Sequence, residues 1–278
     1  MQDLRQSEEF AHYMEKIGWK VEESKIYNVK CKIYFKKIPL LGWFAKITRP
    51  QNSPNTSFIN QIAKKHKAFA VKIDYSPTKT LRLDLTKSEN EILKQMKKDC
   101  RYEIRKAQKN KIIVKQSVDI ESFIKMWHKN ALHRGFWIPF GKEIKSIYEA
   151  FGKKAYLLLV FCSNDSEHDS NPLAGSLILI HDCIASYFHA ASTPKGRKLS
   201  APYLVVWEAI KLAKKKRCQV FDFEGIYDER FPIKSWRGFT HFKKSFGGKE
   251  VEYPSPIIKF YNPVLILVNK LLGPNLLL

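Results

Sequence analysis

Apolar residues recur along this chain at two spacings, every second residue in some segments and every third or fourth in others. The first spacing predicts strands and the second predicts amphipathic helices. Ser7, followed by two acidic residues, predicts the start of the first helix. In the first half the predicted elements are a helix over 7–17, a hairpin over 29–35 and 40–47, a helix over 56–67, strands over 68–73 and 81–85, and a long helix over 86–109.

The second half of the chain repeats this rhythm of strands and helices. Its predicted helices cover 120–133, 143–151, 201–216 and 239–245, and its predicted strands cover 112–115, 155–161, 173–181, 184–191, 219–223 and 250–253. A polar loop over 162–172 separates two of these strands. Alternation of this kind indicates a layered α/β or α+β protein, with mixed sheets flanked by helices.

We expect two halves, residues 1–110 and 111–253, with the boundary at Asn110. Each half would hold a mixed sheet, which suggests a duplication, although the sequence contains no visible repeat. The apolar tail, residues 254–278, is expected to pack back on the first half as a helix. Docking of this tail on a membrane surface is the alternative.

Composition adds a partner class to this picture. The chain has 49 Lys and Arg against 27 Asp and Glu, a formal net charge of +22. A surplus of this size favours a polyanionic partner, such as nucleic acid, an anionic membrane surface or a nucleotide-linked substrate. The alternative is that lysine simply keeps the protein in solution.

Cysteine and histidine spacing argues against metal and disulfide chemistry. The five cysteines form no CxxC pair and the eight histidines form no HExxH motif, so we expect no metal and a reducing cytoplasmic location. Charges throughout the first twenty residues argue against a signal peptide. The apolar run Pro263–Val268 is far shorter than the roughly 20 residues of a membrane span, so contact with the cytoplasmic membrane face would be peripheral.

Candidate functional residues concentrate between His189 and Gly248, at the ends of predicted elements. Ser192 and Arg197 lie between a strand end and a helix start, where backbone N–H groups and an arginine can bind an anion. An ordinary basic turn is the alternative. Asp222 lies between two phenylalanines, which is typical of a hydrogen-bonded structural carboxylate, although a general base or a substrate anchor is also open.

Lys243 is the candidate for stabilising negative charge. Phe242 and Phe246 are four residues apart on a predicted helix and would both face the core. Lys243 would then point toward the strand ends, where a lysine can stabilise an oxyanion or bind phosphate. The basic stripe of the helix ending at Lys109 is open to two interpretations, nucleic-acid contact or a solvated face. The chain lacks GxGxxG, GxxxxGK[ST] and GxSxG motifs, and also the R-x-x-G-x-G/A loop of acetyl-CoA acyltransferases.

Several segments resemble, in order, motifs of the FemABX peptidyltransferases. Residues 101–112, RYEIRKAQKNKI, are similar to the family's helix end RYNIRKAEKKGV. Ile73-Asp74 is similar to its IDP strand end. The other similar segments are 191–203 (AS…R…PY), 221–226 (FDFEGI) and 242–248 (FKKSFGG). The resemblance covers about residues 7–253.

This resemblance implies two tandem GNAT-like acyltransferase subdomains and an aminoacyl-tRNA donor in place of acetyl-CoA. It implies transfer of an amino acid to a stem-peptide side-chain amine of a peptidoglycan precursor, linked to a nucleotide or a lipid. Lys243 and Asp74 match catalytic-cleft residues. By the same resemblance, Arg197 would bind phosphates, Tyr203 would form part of the substrate wall, and Ser192, Asp222 and Lys16 would contact substrate. No cofactor is implied.

Three departures qualify the resemblance. Phe221 replaces the family's tyrosine, Glu224 stands where an uncharged residue is usual, and no coiled-coil arm is present. Two alternatives therefore stay open. One is a related acyltransferase acting on a protein N-terminus or an envelope sugar, and the other is a non-catalytic tRNA-binding or nucleic-acid-binding protein.

Overall fold

Two mixed sheets with flanking helices make up the computed structural model, which describes residues 1–132, 141–163 and 171–272. The predicted fold class is confirmed. In chain order the elements are α1 (Glu8–Lys16), β1 (Lys20–Ile26), β2 (Val29–Ile38), β3 (Gly42–Thr48), α2 (Thr56–His66), β4 (Ala68–Asp74), β5 (Lys79–Asp84), α3 (Glu89–Gln95), α4 (Lys98–Lys109), β6 (Ile112–Ser117), α5 (Ile120–Leu132), α6 (Gly141–Phe151), β7 (Ala155–Cys162), β8 (Ala174–His181), β9 (Ile184–Ser192), α7 (Pro194–Lys198), α8 (Ala201–Lys215), β10 (Val220–Gly225), α9 (Trp236–Lys244), β11 (Lys249–Glu252), β12 (Ile257–Phe260) and α10 (Pro263–Leu272).

The chain divides into two compact units. The small unit contains residues 2–78 and the segment that begins at Glu252, and the large unit contains Met1 and residues 79–251. The small unit holds a five-stranded sheet in the order β1-β2-β3-β4-β12, in which β3 and β4 are parallel. Ile59, Ile62 and Ala63 of α2 join the core of this sheet. The tail enters the same sheet as a strand, because β12 pairs antiparallel with β4.

The large unit holds a seven-stranded sheet in the order β11-β5-β10-β9-β8-β7-β6. Its central strands β9 and β10 are parallel. On one face, Ala174 and Ile178 of β8 belong to a core cluster shared with α4 and α8. On the other face, a Cβ atom at Gly175 would lie 3.0 Å from Phe123 of α5. Helices therefore cover both faces around β8, which agrees with the continuous buried run at the start of this strand.

The predicted boundary at Asn110 differs from the division of the structure, which falls between Thr78 and Lys79. The strand β5 pairs antiparallel with β10, so residues 79–109 fold with the second half. This strand pairing joins residues that are far apart in the sequence: Arg82 and Asp222, for example, are paired across 140 positions. Hydrophobic periodicity describes only local neighbours, so it carries no information about this connection.

The single helix predicted over 86–109 is wrong, because the structure contains two helices with a break at Met96 and Lys97. Met96 has an extended backbone (φ −69°, ψ 149°). The Lys97 N–H donates to the Ser245 carbonyl at 2.8 Å, and the Arg101 guanidinium donates to the Met96 carbonyl. These tertiary hydrogen bonds replace helical ones. The strand β1 was also not predicted.

Three predictions reach beyond the described residues: the end of the helix 120–133, most of the polar loop 162–172, and the last residues of the tail. Across the described ranges, no helix has both the length and the apolar character needed to cross a membrane.

Candidate active site

The parallel strands β9 and β10 define the candidate site in the large unit. Their pairing runs from Val220 with Ile184 to Asp222 with Ser186. Beyond this point each strand contains an irregularity. On β9 the register against β8 shifts around Phe188, and on β10 the register against β5 shifts between Asp222 and Gly225. Bulges redirect side chains, and ligands of such sheets bind at the carboxyl ends of parallel strands.

Glu224 occupies the bulge of β10 in a left-handed conformation, with φ of +59°. This region is uncommon for residues other than glycine, asparagine and aspartate, so the surrounding structure must enforce it. The Glu224 N–H donates to Asp222 Oδ1 at 2.8 Å, which fixes the bulge. The side chain is buried, with 9% of its surface exposed. A carboxylate is therefore held at the end of the strand among other titratable groups.

Asp222 is the buried centre of this arrangement. Its Oδ2 accepts a 2.8 Å hydrogen bond from Arg82 Nε on β5, so the carboxylate ties together two neighbouring strands. Burial and the negative charge of Glu224 raise the pKa of Asp222, although Arg82 opposes the shift. Both of its oxygens are engaged, which fits the structural interpretation of this residue better than a free general base.

Lys243 lies near the end of α9 and reaches back to β10. Its Nζ donates to the Gly225 carbonyl at 2.7 Å and lies 4.9 Å from the centre of the Phe239 ring. Burial lowers the pKa of Lys243 to about 8, while the charges of Glu224 and Asp222 partly restore it. At neutral pH the group is therefore mostly an ammonium ion. An ammonium in a partly dry site can donate to an oxygen that becomes negative during reaction.

Tyr203 supports the helix that carries Lys243. Its ring centre lies 5.0 Å from that of Phe242 and 5.8 Å from that of Phe246. Phe246 is fully buried and also packs on Phe223 of β10 at 5.5 Å. This aromatic cluster fixes α9 against the strand. Tyr203 thus has a packing role at the site, and the wall position implied for it stays a prediction.

His189 is a partly buried neighbour of Glu224 that the sequence analysis did not nominate. Its ring centre lies 6.1 Å from that of Trp127 on α5 and 5.0 Å from that of Phe188. Burial lowers the pKa of His189 to about 4, against an opposing effect of Glu224. The imidazole is thus neutral at physiological pH.

Glu224 could have been nominated from the sequence. In the segment Asp-Phe-Glu at 222–224, strand alternation puts the two acids on the same face of the strand.

The predicted anion loop folds as α7, with the Thr193 hydroxyl accepting from the Gly196 N–H at 2.9 Å. Arg197 is exposed, and its Nη1 donates to the Ser192 carbonyl at 2.8 Å. Arg197 and Ser192 are therefore brought together as expected. A Cβ atom at Gly196 would lie 2.0 Å from the Leu173 carbonyl oxygen, so only glycine allows this close approach.

Asp74 and Lys16 belong to the small unit. Asp74 is buried at the end of β4, where it accepts from Lys46 Nζ at 2.7 Å and from the Ser76 N–H at 3.0 Å. Burial acts to raise the pKa of Asp74, but Lys46 and the hydrogen bonds outweigh it and the pKa is lowered. Lys16 is the exposed last residue of α1. In the part of the chain that the structure describes, no three His, Cys, Asp or Glu residues are arranged to hold a metal ion.

Comparison with known structures supports the fold. FemX superimposes with a TM-score of 0.80 and 18% sequence identity, over 96% of this chain and 94% of FemX. L-PGS from Bacillus licheniformis gives a TM-score of 0.56 and 12% identity, over 94% of this chain and 91% of that protein. A conserved protein of unknown function from Bacteroides thetaiotaomicron gives 0.57 and 9%, over 92% of each chain.

At the sequence level, a search of curated proteins found no match. The FemAB family, in contrast, matches residues 40–165 and 161–272, which together cover most of the chain. The match supports, in general terms, a transferase that builds peptidoglycan interpeptide bridges. The chain belongs to the FemAB family.

Proposed function

We propose that this protein transfers an amino acid from aminoacyl-tRNA to a stem-peptide side-chain amine of a peptidoglycan precursor. The acceptor would be linked to a nucleotide or to a lipid. Within a FemAB family member, the observation that carries this proposal is Lys243, an ammonium held at 2.7 Å from the Gly225 carbonyl at the end of β10. Such a group is suited to acyl transfer, in which negative charge develops on a carbonyl oxygen.

The reaction is aminolysis of an ester. The acceptor amine attacks the ester carbonyl carbon of the donor, a new C–N bond forms, and the carbonyl oxygen becomes an oxyanion. The Lys243 ammonium donates a hydrogen bond to that oxygen. The intermediate then collapses, the C–O bond to the ribose breaks, and the ribose oxygen takes the proton that the amine loses. Positioning and oxyanion stabilisation account for the rate enhancement.

Asp74 is proposed as a second cleft residue, on the basis of the family resemblance. Its lowered pKa makes it a weak base, so it suits binding of a cationic amine better than removal of a proton. Arg197 is proposed to contact precursor phosphates, because it is exposed and its guanidinium is oriented by the Ser192 carbonyl. Ser192, Tyr203, Asp222 and Lys16 complete the proposed substrate contacts.

Both proposed substrates are polyanions, which gives the net charge of +22 a function. The ester of the donor already carries an activated carbonyl, so the proposal invokes neither acetyl-CoA nor a metal ion. Charged tRNA is a cytoplasmic molecule, and the proposed location is therefore the cytoplasm. A lipid-linked acceptor would add peripheral contact with the inner face of the membrane.

The test is a transfer assay with the purified protein. Unfractionated charged tRNA is incubated with a UDP-linked pentapeptide or with a lipid-linked precursor, and products are weighed by mass spectrometry. We expect a precursor heavier by one or more aminoacyl groups. Retention of tRNA without transfer and without precursor binding would reject the proposal in favour of the non-catalytic RNA-binding alternative.

A further inference from the structure

A basic cavity lies in the large unit, formed by α3, α4 and α8. Its volume is about 500 Å³, within the size range of small-ligand sites. Three cations and no carboxylate line it. Its lining residues are Asn90, Leu93, Lys94, Arg101, Ile104, Arg105, Gln108 and Trp207. Trp207 and Ile104 are buried, with 4% and 3% of their surfaces exposed, so the cavity has an apolar floor beneath a cationic rim.

The cavity is lined by residues on both sides of the break between α3 and α4. The Arg101 Nη1 donates to the carbonyl oxygens of Met96 and Lys94, the latter at 3.4 Å. These bonds fix the guanidinium at the break. The side chains of Arg105 and Lys94 form no hydrogen bond or ion pair with any of the described residues. Both cations thus remain available to an external anion.

The cationic surface continues along one side of α4. At about 100° per residue, Arg101, Tyr102, Arg105 and Lys109 lie within roughly 60° of the direction of Lys98. At about 1.5 Å per residue, the row from Lys98 to Lys109 is roughly 16 Å long. The acidic residues Asp99 and Glu103 point about 100–140° away from it. We call this row, with the cavity beside it, the α4 basic face.

An RNA strand fits this face better than a lipid bilayer does. Tyr102 is 57% exposed and is the only large hydrophobic residue of α3 and α4 that is strongly exposed. A single tyrosine cannot insert into a bilayer as an amphipathic helix does, since such helices present a full apolar side. A row of cations can, however, bind a phosphate backbone, and an exposed aromatic ring can stack on a base.

We propose that the α4 basic face binds the phosphate backbone of the tRNA donor, with one ribose–phosphate seated in the cavity above Trp207. This inference rests on the proposed function for the identity of the RNA, but the surface itself is defined by the geometry above. It assigns a role to the Arg101–Ile112 segment, whose basic residues the transfer chemistry at Lys243 does not use.

The first test measures binding of uncharged tRNA by fluorescence anisotropy over a range of salt concentrations. Arg105→Glu should weaken binding on the order of tenfold, and Arg105→Ala should reduce the slope of log K against log salt by about 0.7–0.9. Tyr102→Ala should weaken binding without changing the slope, because stacking releases no counterion. The matched control is Lys125→Glu, an equal charge change at an exposed position of α5, which should leave both quantities unchanged.

A second measurement separates this inference from the proposed function. Transfer is compared with two donors, charged tRNA and a trinucleotide that carries the same aminoacyl ester but lacks the tRNA body. Arg105→Glu should reduce kcat/KM for charged tRNA and leave the trinucleotide reaction unchanged. If the unaltered protein transfers nothing but Arg105 variants still lose tRNA binding, the proposed function fails and the RNA surface stands.

Two results overturn the inference. The first is that Arg105→Glu and Lys125→Glu bind tRNA with the same affinity and the same salt dependence. This includes the case in which none of the variants binds tRNA. The other is loss of binding to phosphatidylglycerol vesicles in Arg105→Glu with tRNA binding intact, which would identify the face as a membrane contact. Thermal melting of each variant checks that the fold is retained.

Discussion

Two carboxylates at strand ends, Asp74 in the small unit and Asp222 in the large unit, have the same chemistry and opposite electrostatics. Asp74 pairs with Lys46 at 2.7 Å, and its pKa is lowered. Asp222 also has a cationic partner, Arg82 at 2.8 Å, yet its pKa is raised. At Asp222, burial together with the charge of Glu224, a second buried acid two residues away, outweighs the effect of the cation.

A carboxylate with its own cation forms a closed pair that stabilises the fold. Asp222 and Glu224 carry more negative charge than Arg82 alone can balance. The charges of both acids act on a second cation, Lys243, whose Nζ donates to the Gly225 carbonyl. Groups whose pKa values are pushed in this way cluster at functional sites. The comparison therefore assigns the oxyanion chemistry to the end of β10. It also indicates that Asp74, besides its proposed contact with the substrate amine, forms an ion pair with Lys46 that stabilises the small unit.

The largest effect is expected from Lys243→Ala. Loss of one preorganised donor to an oxyanion reduces kcat by about 10²–10³-fold. The affinity for tRNA should stay unchanged. Single-turnover transfer with saturating substrates measures the chemical step. Lys244→Ala is the matched control, because Lys244 pairs with Glu250 and not with β10. Equal rates in the two variants would remove Lys243 from the mechanism.

Asp74→Asn tests the closed pair. Removing the negative charge of Asp74 leaves the Lys46 ammonium without its ion-pair partner. We therefore expect the free energy of unfolding to fall by about 1–3 kcal/mol. In the unaltered protein the lowered pKa means that this stabilisation is present above the usual value of 3.8 and is lost as pH falls below it. Urea unfolding between pH 3 and pH 7 measures the effect.

Asp84→Asn is the control for this variant, since Asp84 is an exposed strand-end carboxylate that bonds only locally, to Thr86. Its cost should stay within about 0.5 kcal/mol. An Asp74→Asn variant that keeps full stability would contradict the stabilising role of the pair with Lys46. Loss of transfer in such a variant would leave only the cleft role that is proposed for Asp74.

The smallest effect is expected from Glu224→Gln. The negative charge of Glu224 raises the pKa of Lys243, so removal of this charge lowers the pKa of Lys243 further. The rate depends on the protonated lysine, and the alkaline limb of the pH–rate profile should therefore move to lower pH. Activity at pH 7 would fall by a few-fold. An unmoved alkaline limb, matching that of the exposed control Glu229→Gln, would separate Glu224 from Lys243.

Most of the secondary structure was predictable from the sequence because it depends on local periodicity. The Ser7 hydroxyl does accept from the Phe10 N–H at 3.0 Å, as its position before two acids predicts. That Arg197 and Ser192 lie close together could also be predicted, because they are only five residues apart in the sequence, at the end of a strand and in the short helix that follows it. His189 could not be nominated in this way, because only the bulge at Phe188 and the packing of Trp127 make it part of the site.

By itself, the sequence determined the element types, the basic character, the family resemblance and the candidate segment between His189 and Gly248. These follow from side-chain chemistry and from spacings of a few residues. The tertiary structure decided where the two units divide, where the helix before Lys109 breaks and which carboxylates share a cation. Those features depend on strand pairing and hydrogen bonds between distant residues, such as Arg82 with Asp222 and Lys97 with Ser245, and only folding brings such partners together.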